Sequence, residues 1–203
     1  MEHSANHILL RGSLTSLPQF SHENHGLKFF RFFLEVPRLS GAVDTLPVVA
    51  EETTLNSFDL SGGEMLTITG QIRSYNIRTD GRRHLKIFVF ARSIVCEDGD
   101  PLNEVILEGP LCREPNFRRT PLGREICDVM LAVPRAFRRA DYLPCILWGR
   151  TAQEASQCHT SDRLLICGRL QSRVYTKITE EGSEERTTYE ISALTAEFPE
   201  STL

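Results

Sequence analysis

The chain has 203 residues, enough for one large domain or two of about 100, and its 40% hydrophobic and 25% charged content is that of a globular protein. Disordered, collagen-like and disulfide-dense classes are excluded on those figures, and no apolar run approaches the roughly 18–20 residues that a spanning helix needs. The net charge is −4, but only three of the 23 cations are lysines (Lys28, Lys86, Lys177), and eight arginines stand against four acids between Arg113 and Arg150. Arginine forks to phosphate and stacks on bases, so this local excess matters more for anion attraction than the global sum. The opening residues, MEHSANHILLRGS, lack a basic region leading into an apolar core, so a cytoplasmic protein is expected.

Self-comparison organises the chain. Asn6, Ile8, Leu10, Gly12 and Leu14 recur as Asn103, Val105, Leu107, Gly109 and Leu111, at a constant offset of 97. The same offset carries Phe20 to Phe117, the run from Leu34 to Arg38 onto that from Leu131 to Arg135, and Asp44 to Asp141. After one inserted residue, Gly70, Ile72 and Ser74 match Gly168, Leu170 and Ser172. The expected organisation is therefore two copies of one module, residues 1–98 and 102–203, joined at a charged, glycine- and proline-bearing linker.

In chain order, the second copy begins with VILEGPL, which alternates apolar and polar residues. A turn-rich stretch follows, then EICDVMLAV alternates again and YLPCILWG forms a more continuous apolar strand. RTAQEASQC is the one good helical stretch. RLLICGRLQSR and RTTYEISAL, either side of the polar EEGSEE, complete five strands. Glycines inside strands suit the bulges of a small closed barrel. The expected fold is all-β, two tandem five-stranded OB-fold barrels each with one short helix between strands three and four. Periodicity alone leaves other small barrels open. The six cysteines have no C-x-x-C pairing and sit mostly in apolar runs, so they read as reduced, buried thiols.

The segments NEVILEGPL, PLGREICDVMLAVPR, DYLPCILWGRTAQEAS and ICGRLQSRVY resemble bacterial single-stranded DNA-binding proteins and the related primosomal replication proteins. The likeness covers nearly all of the second copy; in the first it rests on the repeat. It implies binding of single-stranded DNA during replication, recombination or repair, in a tandem version of the fold, with no catalysis and no cofactor. The chain's last residues, AEFPESTL, do not match the acidic, Phe-tipped ending common in that family, so the hub role of that ending is not expected here.

A sequence-independent single-strand binder needs cations along the backbone and aromatic faces for the bases. Tyr142 and Trp148 lie six residues apart and hence on one face of a strand, at positions where the resemblance implies base stacking. Tyr175 and Phe137 are further stacking candidates. Arg118, Arg119, Arg124, Arg135, Arg138, Arg139, Arg150, Arg169 and Arg173 supply the charge. For Arg135, whose counterpart is Arg38, an ion pair with a neighbour such as Glu35 or Asp128 competes with phosphate contact.

In the first copy the offset converts Trp148 to Glu51, Tyr142 to Thr45, Phe137 to Ser40 and Arg138 to Gly41. The expectation is a degenerate N-terminal barrel used for dimerisation or docking, with the C-terminal barrel doing most of the binding. The rival is binding by the first barrel as well, through Phe20, Phe29, Phe30, Phe32, Tyr75, Arg73, Arg78, Arg82 and Arg83. A homodimer and replication proteins are the expected partners, with neither a membrane nor a small-molecule substrate. His22-x-x-His25 lacks further metal ligands, and no G-x-S-x-G or phosphate-cradling glycine loop is present, so an enzyme and a metal site are not expected. A second class of function is a primosome interaction protein whose barrels bind protein rather than DNA; RNA in place of DNA is a third reading.

Overall fold

The computed structural model describes residues 5–198 apart from 57, 80, 180 and 181, and the side chains of residues 79, 82, 177 and 179 also fall outside the description. The start of the first predicted module, the end of the second with most of the closing AEFPESTL, and the Arg82 side chain therefore lie outside the described residues.

Alternating apolar positions build the first barrel from β1 (Asn6–Asn24), β2 (Leu27–Pro37), β3 (Val43–Glu51), a single helical turn α1 (Glu52–Leu55), β4 (Met65–Thr79) and β5 (Arg82–Cys96). Leu46, Val48 and Ala50 on β3 point inward with no exposed area, as period two requires. The second barrel comprises β6 (Leu102–Pro110), β7 (Asn116–Arg119), β8 (Glu125–Arg135), β9 (Arg139–Trp148), helix α2 (Gly149–Ala155), β10 (Arg163–Thr179) and β11 (Gly182–Glu197). Each is an OB-fold, with the short helix between its third and fourth principal strands.

Among the described residues eleven strands appear where ten were expected. The 19-residue β1 runs unbroken, whereas its counterpart is split into β6 and the short β7, which pairs with β8. The first barrel closes by an extended β1–β2 ladder. The second closes through the single bridge Leu111–Leu131 and the Cys112 amide donating to the Met130 carbonyl at 3.0 Å. Gly70 and Gly168 mark equivalent bulges, where a Cβ would stand 2.2 Å from the carbonyl oxygen of Phe90 or of Ser192. No larger residue fits there.

Antiparallel pairing of β1 with β6 merges both barrels into one sheet. Ile8 pairs with Val105, its own repeat partner, so a pseudo-two-fold axis passes through that pair. The side chains of Asn6 and Asn103 repeat one device: each exchanges two hydrogen bonds with a backbone, Asn6 with Ile72 (2.7 and 2.8 Å) and Asn103 with Leu170 (2.7 and 2.9 Å).

Three sequence-based expectations change. Phe32, offered as a ligand of the first barrel, is wholly buried in the core because it shares the inward parity of Leu34 and Val36. Cys96 and Cys112 are exposed, since each sits at a strand end; Cys127, Cys145 and Cys158 are buried, and burial pushes the Cys127 thiol up to about 11. Arg135 pairs with neither Glu35 nor Asp128 but with Asp141.

Candidate nucleic-acid interface

The outward face of β8 and β9 forms a platform. Its cross-strand pairs are Ile126 with Trp148, Asp128 with Ile146, Met130 with Pro144 and Ala132 with Tyr142. The inward partners Leu143, Cys145 and Leu147 fill the core, so alternation turns Tyr142 and Trp148 out together. Tyr142 is 46% and Trp148 36% exposed. The indole is not loose, since its Nε1 donates to Ser192 Oγ on β11 at 3.2 Å, which restrains the ring at its edge. Arg118 pairs with Ile126 across β7–β8, in the same row as Trp148, roughly 10 Å away at two strand spacings.

Most of the predicted cations are engaged. Arg118 holds Asp128 at 2.6 Å, Arg119 holds Glu125 at 2.8 Å, Arg150 holds Glu154 at 2.9 Å and Arg173 approaches Glu190 at 4.0 Å. Apart from the last, whose Glu190 is largely buried, these pairs are solvent-facing, and such pairs contribute only about 0–1 kcal/mol, so a phosphate can displace the carboxylate. The hydrogen bond to Asp128 raises the Arg118 pKa further above its ordinary value. Arg124, Arg138 and Arg139 are exposed and form no ion pair among the described residues. Arg135 is different: its partner Asp141 is wholly buried, so it braces the barrel joint.

At the β8–β9 hairpin tip the backbone is strained. Phe137 (φ 60°) and Arg138 (φ 55°) occupy the left-handed region that side chains avoid, and Phe137 is 94% exposed. The equivalent first-barrel turn meets the same need with Gly41 (φ 85°). Phe137 and Arg138 lie in the turn that joins β8 to β9, so their positive φ belongs to the hairpin, and the Phe137 ring stands on it in solvent.

Tyr175 is 40% exposed but lies off this platform. It sits on β10, and β11 intervenes between β10 and β9. The β10–β11 hairpin instead borders a cleft of about 710 Å³ on the first barrel. That cleft is lined by Arg31 and Phe33 of β2, Tyr75 of β4, Lys86 and Phe88 of β5, and Thr187 and Tyr189 of β11. The Arg31 guanidinium lies 5.2 Å from the Phe33 ring centroid, Tyr75 meets Phe88 edge-on at 5.9 Å, and His22 stacks on Phe29 at 4.8 Å. Burial raises the Tyr189 phenol pKa, and Arg31 across the cleft opposes that rise. Arg31, Lys86, Phe88 and Tyr189 were not among the sequence candidates. The alternation in HLKIFVFA signals the outward Lys86 and Phe88; Tyr189 comes from the other module and carried no such signal.

Fold and surface together define a tandem OB-fold with two aromatic, arginine-bearing faces. The model of the single-strand binding protein family matches residues 102–199. A stretch of 80 residues is 38% identical to single-stranded DNA-binding protein B of Bacillus subtilis (strain 168), covering 36% of this chain and 71% of that protein. The single-stranded DNA-binding protein of Thermus aquaticus is 27% identical over 98% of this chain and 86% of its own length. Its wild-type crystal structure superposes with a TM-score of 0.78 at 26% identity, over 96% of this chain and 92% of that one. The match spans 64% of the length of the Oceanobacillus iheyensis relative, at 33% identity over 49% of this chain. The chain belongs to the single-strand binding protein family.

Proposed function

We propose that this protein binds single-stranded DNA without strong sequence preference and so protects or presents it in replication, recombination or repair. The observation that carries this reading is the β8–β9 platform, where Trp148 and Tyr142 stand partly exposed on one face, with Arg118 in the row of Trp148 and Arg138 and Arg139 at the hairpin end. Bases stack on the rings at about 1–3 kcal/mol each, while phosphates replace exposed carboxylates and release counterions. The second barrel does most of the binding on this reading, with Phe137, Arg119, Arg124, Arg150, Arg173 and Tyr175 extending the path. Arg135 acts by holding the hairpin through Asp141.

A second reading of the first barrel is favoured by its cleft. Rings and cations arranged around about 710 Å³ of open space suit a few nucleotides as well as a docking partner. The relatives' names say that they bind single-stranded DNA, and the full-length likeness to the Thermus aquaticus protein extends that support to both barrels. Assembly as a homodimer and recruitment of replication proteins belong to the same proposal. The test is fluorescence titration with dT oligomers at two salt concentrations: quenching of Trp148 and a fall in affinity with salt are expected. An unquenched indole with no salt dependence would point instead to the protein-interaction class.

A further inference from the structure

The two joints between the barrels are related by the pseudo-two-fold axis, yet their cations are paired differently. At one, Asp141 accepts the Ser74 amide at 2.7 Å and both Arg73 and Arg135 at 3.3 Å. Burial, together with repulsion from Arg135, pushes the Arg73 guanidinium below its usual pKa, and Arg73 also donates to Gln71. At the other joint, Asp44 accepts the Ser172 amide at 2.6 Å, the Ser172 hydroxyl at 3.1 Å and Arg38 Nε at 2.7 Å. Both aspartates are wholly buried.

The repeat exchanges two residues here. Gln71 and Arg73 on β4 correspond to Arg169 and Gln171 on β10. Gln171 turns to Glu190, donating at 2.9 Å. Arg169 is left with no hydrogen bond or ion pair among the described residues, and its Nε is buried without a partner. Beside it opens a cavity of about 360 Å³ lined by Pro37, Arg38, Leu39, Ser40 and Leu194, with Leu39 and Leu194 exposed at its rim. Asp44 and Asn103 also line it. The carboxylate oxygens of Asp44 are already taken up by Arg38 and Ser172, and the Asn103 side chain by the Leu170 backbone. Arg38 and Arg169 stand here against Asp44 and Glu190, so the charges balance in number, and the Arg169 Nε–H is the group left without an acceptor among the described residues.

We infer that this cavity is an anion site that takes one phosphodiester of a bound single strand where the strand crosses from one barrel to the other. The inference rests on the proposed DNA binding. It favours a nucleic-acid phosphate because Arg169, Arg173 and Tyr175 share one face of β10 by parity, so the cavity continues a row of cation and ring. Arg169 is thus a binding residue of the joint, separate from both stacking faces.

The test is Arg169→Gln, which installs the residue of the other repeat, titrated with a dT oligomer of about 8 nucleotides and one of about 35, the shorter being within the span of one OB-fold. Binding of the shorter oligomer should stay within about twofold of wild type. The longer one should bind about tenfold more weakly, and the slope of log K against log salt should fall by about 0.7, the contribution of one single-strand phosphate. Arg169→Lys should restore the slope, and the thermal midpoint of Arg169→Gln without DNA should be no lower than wild type. An unchanged slope with the longer oligomer, or equal weakening of both oligomers, overturns the crossing site. A wild-type protein that binds neither oligomer overturns the proposed function itself.

Discussion

The two barrels share a backbone plan and put their rings in different places. In the first, Phe29, Arg31 and Phe33 occupy strand β2, while the β3 positions that correspond to Tyr142 and Trp148 are Thr45 and Glu51. In the second, the β8 positions that correspond to Phe29, Arg31 and Phe33 are Ile126, Asp128 and Met130, and the rings sit on β9. Comparison in one direction makes the first barrel look stripped of ligands; comparison in the other does the same to the second. Two copies of one module have moved the same chemistry onto neighbouring strands.

The joints should show the largest effect. Asp141→Ala strands Arg73 and Arg135 facing one another and leaves the Ser74 amide unpaired, and breaking a buried pair of this kind costs about 3–5 kcal/mol. Asp44→Ala unpairs the Ser172 amide in the same way but leaves Arg38 close to Glu190, and should cost less. Urea unfolding of both variants checks this; equal losses would mean that the backbone amides, rather than the cations, set the strength of the joints. Next, Trp148→Ala should weaken dT binding about tenfold or more, within the stacking range of ~1–3 kcal/mol. Phe33→Ala, the corresponding test in the first barrel, should weaken it about threefold. A loss as large as that of Trp148→Ala would make the first barrel an equal binder.

Phe137→Gly separates stability from function. Relief of a left-handed φ should raise the stability by about 1 kcal/mol in thermal or urea unfolding, while dT affinity falls a few-fold. A variant that is both less stable and fully competent would remove the ligand role of this tip. The smallest effect is expected from Glu51→Ala: the position carries no ring, so affinity measured by the same titration should change less than twofold.

The repeat, the strand pattern and the outward pairing of Tyr142 with Trp148 were legible in the sequence because all of them follow from period two and a constant offset. The recurrence of Asp44 as Asp141 was visible too, but not its meaning. Each carboxylate finds its backbone partner in the opposite barrel, 128 residues away for Ser172 and 67 for Ser74, and no local pattern reports such a contact. Tyr175 was grouped with Trp148 on the family resemblance, and the strand order, which puts β11 between their strands, is not legible in the sequence. The cleft on the first barrel escaped for the same reason, since Thr187 and Tyr189 come from the second. The break that separates β7 from β6 lies in a turn-rich stretch that alternation cannot partition.

The Ile8–Val105 pair on the pseudo-axis has a further consequence. Were the module a free self-associating unit, each substitution would appear on both sides of the axis at once, and an exchange such as Gln71 for Arg169 would be forbidden. Covalent linkage lifts that constraint and lets each half mutate alone. It also makes the contact between halves independent of dilution, so the paired barrels persist at concentrations where separate subunits would drift apart.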